Sequence, residues 1–176
     1  MKRLLVLRHA KAAAHDEKHD KERALVERGR EDAARMGRAM RERGYLPDLV
    51  LCSSATRTVE TWEHVAPELR TRPETEFLDA LYDAAENTIL ACIHAVERSA
   101  PALLYIGHNP GLERFARMLV RSPVDSDERR RAGALAQKFP TAALAVLDFD
   151  SAEWAAIERT TGRLSDFIMP AELKDK

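Results

Sequence analysis

The stretch "LLVLRHAKA", residues 4–12, decides the fold class, because four apolar residues run directly into an arginine and a histidine. A short continuous apolar run is typical of a strand that is buried on both faces, as in a parallel sheet. Two further runs of this kind follow at residues 49–52 and 103–106. Segments with helical periodicity separate the three runs, and this alternation predicts an α/β protein.

Four apolar stripes at helical spacing predict four helices, and Gly44 is suited to end the first of them. Residues 142–149 and 163–169 indicate two more strands at one edge of the sheet. The charged residues 30–43 fit the solvated face of a helix, and residues 125–131 indicate a polar surface excursion. We therefore expect one three-layer domain over residues 1–176, with a largely parallel central sheet and helices on both faces. The stripes are Ala33, Met36, Gly37 and Met40; Val59, Trp62 and Val65 or Ala66; Ile89, Ile93 and Val96; and Leu112, Phe115, Leu119 and Val120.

Composition excludes several classes of function. The 176 residues carry a formal net charge of -1, so no global basic field indicates a nucleic-acid partner. No apolar run approaches the roughly 20 residues that span a bilayer, and the N-terminal apolar run is too short for a signal peptide. We expect a cytoplasmic protein with no membrane partner. Cys52 and Cys92 are expected to pack as small apolar residues rather than to form a disulfide or bind a metal.

Polar side chains that can bind a ligand or take part in catalysis follow each of the three apolar runs. The carboxyl ends of parallel strands meet at one edge of a sheet, where ligands of open α/β sheets bind. Two imidazoles and two guanidiniums should therefore meet there, and such a site favours an anion, most naturally a phosphoryl group. Arg57 falls in the first turn of a predicted helix, where the helix dipole also favours an anion, and the serines could cap that turn. The three groups are Arg8 and His9; Ser53, Ser54 and Arg57; and His108 and Asn109 before Pro110.

Three motifs in this order resemble the histidine phosphatase superfamily, and in particular its short SixA-type phosphohistidine phosphatase branch. The motifs are "RHAK" (8–11), "SSATRTVETW" (53–62) and "GHNPGLE" (107–113), and the stretches 19–40 and 138–150 extend the likeness over nearly the whole chain. The resemblance implies a phosphoglycerate mutase-like fold and a covalent phosphohistidine intermediate. It implies that His9 is the nucleophile, that Arg8, Arg57 and His108 hold the phosphoryl oxygens, and that no metal or cofactor takes part.

The chain departs from the superfamily pattern at the expected general acid. Many members place a glutamate where residues 78–83 read "LDALYD", so that Ala80 stands in the acid's place. Asp79 or Asp83 could substitute for it. A phosphoramidate needs less help from an acid than an alkyl phosphate does, because its P–N bond breaks readily once the imidazole is protonated. The departure therefore favours phosphohistidine on a protein as the substrate.

Other functions remain open at the level of the sequence. The same site could serve a small-molecule phosphomonoesterase, or a phosphate- or phosphoprotein-binding module without turnover. Arg23 is either a surface ion-pair partner or a substrate-binding residue at the edge of the site, and Lys11 and Asn109 are further candidates for substrate binding. The remaining histidines lack such neighbours and are expected to be surface or packing residues; they are His15, His19, His64 and His94.

Overall fold

A six-stranded sheet forms the middle layer of the structure, which is a computed structural model that describes residues 1–15, 18–97 and 99–173. The strand order across the sheet is β3-β2-β4-β1-β5-β6. The strands are β1 (Lys2–Arg8), β2 (Leu49–Ser53), β3 (Glu74–Leu78), β4 (Ala102–Gly107), β5 (Leu144–Phe149) and β6 (Arg163–Ile168). The helices are α1 (Glu27–Glu42), α2 (Thr56–Leu69), α3 (Glu86–His94), α4 (Gly111–Leu119) and α5 (Ser126–Gln137).

Strand β1 lies inside the sheet, as its unbroken apolar sequence predicts. Leu4 and Val6 pack into the apolar layer that contains α3 and α4, whereas Leu5 and Leu7 pack into the layer that contains α1 and α2. Because successive side chains of a strand point to opposite faces, a strand covered on both sides must be apolar at every position. The result is the predicted three-layer α/β architecture.

The parallel part of the sheet contains β3, β2, β4 and β1, which pair with one another in parallel. Strand β5 runs antiparallel to β1, and β6 runs antiparallel to β5 at the edge. The two C-terminal strands therefore lie together at one end of the sheet, as expected. Gly44 follows α1 with a φ of 73°, a conformation that glycine adopts without steric cost, and so ends that helix as predicted.

Two elements differ from the expectations. Strand β3 has no counterpart in them, because its sequence "ETEFL" is largely polar; as an edge strand it needs no apolar run, and Phe77 is exposed. The segment predicted to be a polar excursion, residues 125–131, instead opens helix α5. The Asp125 carboxylate caps α5 by accepting a hydrogen bond of 2.8 Å from the backbone N–H of Glu128. Sequence periodicity misses this helix because only Glu128 and Leu135 are buried along it.

The described ranges have three further features. No helix in them is both long and apolar enough to cross a membrane. No cluster of three or more His, Cys, Asp or Glu side chains in these ranges is arranged to hold a metal ion. Cys52 lies buried in β2 and Cys92 lies in α3, and both thiols are free.

Candidate active site

Three parallel strands end beside one another and deliver the candidate residues to one cavity. Arg8, the last residue of β1, pairs with Gly107, the last residue of β4, and the His9 backbone N–H donates to the Gly107 carbonyl at 3.1 Å. The cavity beyond these strand ends has a volume of about 370 Å³. The side chains brought together there include all the predicted substrate-binding residues and one of the two acid candidates: Arg8, His9, Lys11, Arg23, Arg57, Asp83, His108 and Asn109.

His9 is held as a neutral imidazole whose Nε2 carries a lone pair. Its Nδ1 lies 2.8 Å from the Ala10 carbonyl oxygen. A carbonyl oxygen can only accept a hydrogen bond, so Nδ1 carries the ring proton. Burial, reinforced by the charges of Arg8, Arg57 and Arg23, lowers the pKa of His9 to about 4. At neutral pH the side chain therefore presents an unprotonated nitrogen, which is the form required of a nucleophile.

His108 lies against His9, with ring centroids 5.4 Å apart. Burial is the main cause that lowers the pKa of His108 to about 3, and the Arg57 guanidinium is the next. Its Nε2 is 2.7 Å from Ser53 Oγ, which also accepts a weaker bond of 3.4 Å from the Ala55 backbone N–H. If Ser53 donates its proton to Nε2, the remaining ring proton sits on Nδ1. That atom is buried and has no hydrogen-bond partner among the described residues.

Arg57 provides a fixed cation, and its side chain is only 3% exposed. It lies in the first turn of α2, and its Nη1 donates to the Asp20 backbone carbonyl at 2.8 Å. Arg8 is less deeply buried, and its Nη1 donates to the Phe139 carbonyl at 2.9 Å. Burial lowers the pKa of Arg8, but from a value so high that the guanidinium stays charged. Both guanidiniums are thus oriented before any substrate binds.

The serines of the second motif have other partners than the predicted helix cap. The N-cap residue of α2 is Ala55, and no side chain caps it. Ser53 instead contacts His108, and Ser54 Oγ donates to the Asp79 carboxylate. Sequence spacing placed the serines correctly beside the helix but could not specify which polar groups they reach.

The structure separates the two carboxylates that could replace the missing acid. Asp83 lines the cavity, and its Oδ1 lies 3.6 Å from Arg57 Nη2. The Asp79 side chain is 84% exposed, lies outside the cavity lining and pairs with Lys21 Nζ at 3.0 Å. Ala80 is exposed and also lies outside the lining. Asp79 is therefore poorly placed to protonate a leaving group in this cavity.

Asp20 is a site residue that sequence reasoning missed. Its Oδ2 lies 3.3 Å from Arg57 Nη2 and accepts a hydrogen bond from the Tyr82 hydroxyl, while its Oδ1 accepts a bond of 3.0 Å from Arg23 Nε. The Tyr82 hydrogen bond is the main cause that lowers the pKa of the Asp20 carboxyl below its ordinary value. In the sequence, Asp20 is one acidic residue within a charged stretch, so composition gave no signal for it.

His15 was expected to be a surface or packing residue, but it lines the cavity. Its side chain is 65% exposed, and its Nδ1 lies 3.1 Å from Asp20 Oδ1. His94 behaves as expected, since its Nε2 contacts the Ile157 carbonyl and it lies outside the cavity lining. The buried residues His9, Arg57 and His108 form the floor of the cavity; the exposed residues Lys11, His15 and Asp83 form its rim.

An α/β sheet whose parallel strands end in buried imidazoles and arginines defines a protein with an anion-binding centre built for phosphoryl groups. The profile of the histidine phosphatase superfamily (branch 1) matches residues 4–96. The chain belongs to this superfamily, as the three motifs indicated.

Two of the similar solved structures are described as SixA proteins. A candidate phosphohistidine phosphatase, SixA, from Nakamurella multipartitia is 28% identical, with a TM-score of 0.80 and coverage of 96% of each chain. Its counterpart from Agrobacterium tumefaciens is 31% identical, with a TM-score of 0.78 and coverage of 96% of this chain and 98% of the other. An uncharacterised protein of Mycobacterium tuberculosis is 32% identical over 93% of this chain and 99% of its own length. These matches confirm the phosphoglycerate mutase-like fold; the roles of individual residues stay predictions.

Proposed function

We propose that this chain is a protein phosphohistidine phosphatase that works through a covalent phosphohistidine on His9. The observation that carries this proposal is the hydrogen bond from His9 Nδ1 to the Ala10 carbonyl. This bond fixes the tautomer that leaves Nε2 free, and the lowered pKa keeps that nitrogen unprotonated at neutral pH. A neutral, oriented imidazole surrounded by fixed cations is suited to attack phosphorus.

The reaction has two steps. In the first, the Nε2 lone pair of His9 forms a bond to phosphorus, and the P–N bond of the substrate breaks, with its electron pair going to the departing imidazole. In the second, a water oxygen attacks phosphorus, the bond to His9 Nε2 breaks and inorganic phosphate leaves. Arg8, Arg57 and the His108 ring hold the phosphoryl oxygens in both steps. They stabilise the charge of the transferring group without reorganisation, so the proposed reaction requires no metal ion.

Phosphohistidine on a protein fits the cavity better than an alkyl phosphate does. Asp79 lies outside the cavity and Asp83 lies beside Arg57, so neither occupies the position of a buried acid that could protonate an alkoxide. The solved relatives at 28% and 31% identity are both described as candidate phosphohistidine phosphatases. The exposed rim residues Lys11 and His15 also leave the cavity accessible to a residue on the surface of another protein.

The test is a rapid quench at neutral or alkaline pH of enzyme mixed with a peptide that carries labelled phosphohistidine, followed by mapping of the bound label. The proposal expects an acid-labile, alkali-stable label on His9 and release of inorganic phosphate. Turnover should be faster than with a matched phosphoserine peptide or a sugar phosphate. Binding without phosphate release would contradict the proposal and identify the chain as a phosphate-binding module. Faster turnover of the sugar phosphate would replace it with a small-molecule phosphomonoesterase.

A further inference from the structure

At its rim the cavity contains a histidine paired with a carboxylate, separate from the buried imidazoles of His9 and His108. His15 Nδ1 lies 3.1 Å from Asp20 Oδ1, and both side chains line the cavity. A carboxylate accepts hydrogen bonds, so Asp20 orients the ring with a proton on Nδ1 and directs Nε2 away from itself. This is the arrangement by which a carboxylate prepares an imidazole for proton transfer.

Asp20 is itself firmly positioned, so it can fix the exposed ring. Its carboxylate is bound by Arg57 at 3.3 Å, by Arg23 at 3.0 Å and by the Tyr82 hydroxyl. Its side chain is 17% exposed, whereas that of His15 is 65% exposed. The imidazole is therefore held by a partly buried ion-pair network but keeps contact with water, from which it can recover a proton.

Phosphohistidine needs its proton at a particular place. The nitrogen bonded to phosphorus contributes its electrons to the aromatic ring, so the ring becomes a good leaving group when its other nitrogen is protonated. With phosphorus at the buried floor, that second nitrogen is directed outward, towards the rim. An acid for this substrate therefore belongs at the open side of the cavity, where His15 lies, and not beside the phosphoryl group.

We propose that His15, oriented by Asp20, is the general acid that protonates the departing histidine and then the base for the attacking water. In the first step Nε2–H of the His15 imidazolium gives its proton to the outer ring nitrogen of the substrate while His9 bonds to phosphorus. The substrate histidine leaves neutral, and His15 becomes neutral. In the second step His15 Nε2 takes a proton from the water that attacks phosphorus, which restores the imidazolium. This inference rests on the proposed function of the same cavity.

The decisive variant is His15→Asn, because an asparagine amide can keep the hydrogen bond to Asp20 but cannot carry a proton to the substrate. General acid–base groups typically contribute 10²- to 10⁴-fold. For this exposed group we expect kcat on a phosphohistidine peptide to fall by about 10²-fold, with KM changed less than about threefold. His19→Asn is the matched control, because His19 is an exposed histidine of the same segment outside the cavity lining.

The second substrate is 4-nitrophenyl phosphate, whose leaving group departs as an anion and needs no proton. His15→Asn should form the His9 phosphoenzyme from this substrate at a rate within about threefold of wild type. Three results would overturn the role of His15. These are an unchanged kcat on the phosphohistidine peptide, a rise in KM with no change in kcat, and an equal decrease in the rate of phosphoenzyme formation from both substrates. Those results leave the proposed function intact as long as wild-type enzyme carries label on His9. Absence of that label from wild type overturns the proposed function itself, and the inference with it.

Discussion

The floor and the rim of the cavity hold similar side chains in different surroundings. His9 and His108 at the floor are 7% and 2% exposed, whereas His15 at the rim is 65% exposed. The floor residues follow the ends of β1, β2 and β4, whose backbones are fixed by hydrogen bonds on both sides. The rim residues come from the segment after β1 and from the turn after β3. In the proposed mechanism, depth therefore separates two tasks: attack on phosphorus at the floor, and handling of the substrate's protons and charge at the rim.

The largest expected effect belongs to the nucleophile at the floor. His9→Ala should abolish phosphoenzyme formation and lower phosphate release by at least about 10³-fold, because it removes the nitrogen that the proposed mechanism uses to attack phosphorus. The quench experiment, performed with circular dichroism to verify the fold, measures this. His19→Ala provides the control. Wild-type turnover in the His9→Ala variant would refute covalent catalysis on this residue.

Removal of the fixed cation at the floor should have the next largest effect. Arg57→Ala removes a guanidinium that is 3% exposed and that lies 3.3 Å from the Asp20 carboxylate, which keeps its bonds to Arg23 and Tyr82. We expect kcat to fall by about 10²- to 10³-fold, and the affinity for orthovanadate to fall with it. Arg57→Lys should recover only part of this loss, since an ammonium cannot reproduce the planar fork of donors. Equal orthovanadate affinity in Arg57→Ala and wild type would contradict a phosphate-binding role.

Most of the site could be predicted from the sequence, including Lys11 and Asp83 at the rim, whereas Asp20 and His15 could not. Arg8, His9, Arg57 and His108 were found because each directly follows an apolar run or opens a helix, and the ends of parallel strands must meet. Asp20 and His15 belong to a segment without periodicity, and the position of the Asp20 side chain depends on tertiary contacts with Arg57 and Tyr82.

The same limitation explains the missed elements of the fold. Strand β3 and helix α5 bury few side chains, so tertiary pairing or a helix cap determines them rather than an apolar pattern. The central strands, by contrast, must be apolar at nearly every position, and the sequence therefore identifies them.

The two floor histidines should make the free energy of unfolding depend on pH in the acidic range. The pKa of His9 is lowered from 6.5 to about 4 and that of His108 to about 3. Between pH 6.5 and about 4 the unfolded chain takes up protons on these residues and the native protein does not. Lowering the pH therefore decreases the free energy of unfolding, by up to about 1.4 kcal/mol per pH unit for each histidine.

Urea unfolding at several pH values between 6.5 and about 4 measures the slope of the free energy of unfolding against pH. His108→Asn should reduce this slope, although the variant is less stable at every pH. The lowered pKa of Asp20 acts below this window, because a carboxyl with a lowered pKa loses its contribution only below its ordinary value. A slope that is equal in His108→Asn and wild type would mean that His108 is protonated in the native state.

The smallest expected effect comes from the rim carboxylate Asp83. Its Oδ1 lies 3.6 Å from Arg57 Nη2 and its side chain is 54% exposed, so it repels an incoming phosphoryl group only through a water-screened charge. Asp83→Asn should therefore tighten orthovanadate binding by about twofold to fivefold, which corresponds to at most about 1 kcal/mol, and should leave kcat nearly unchanged. The gain should shrink at high salt. Asp79→Asn, outside the cavity, should change neither quantity. A loss of kcat near 10²-fold in Asp83→Asn would instead identify Asp83 as the acid, and it would transfer to this residue the role that the rim geometry assigns to His15.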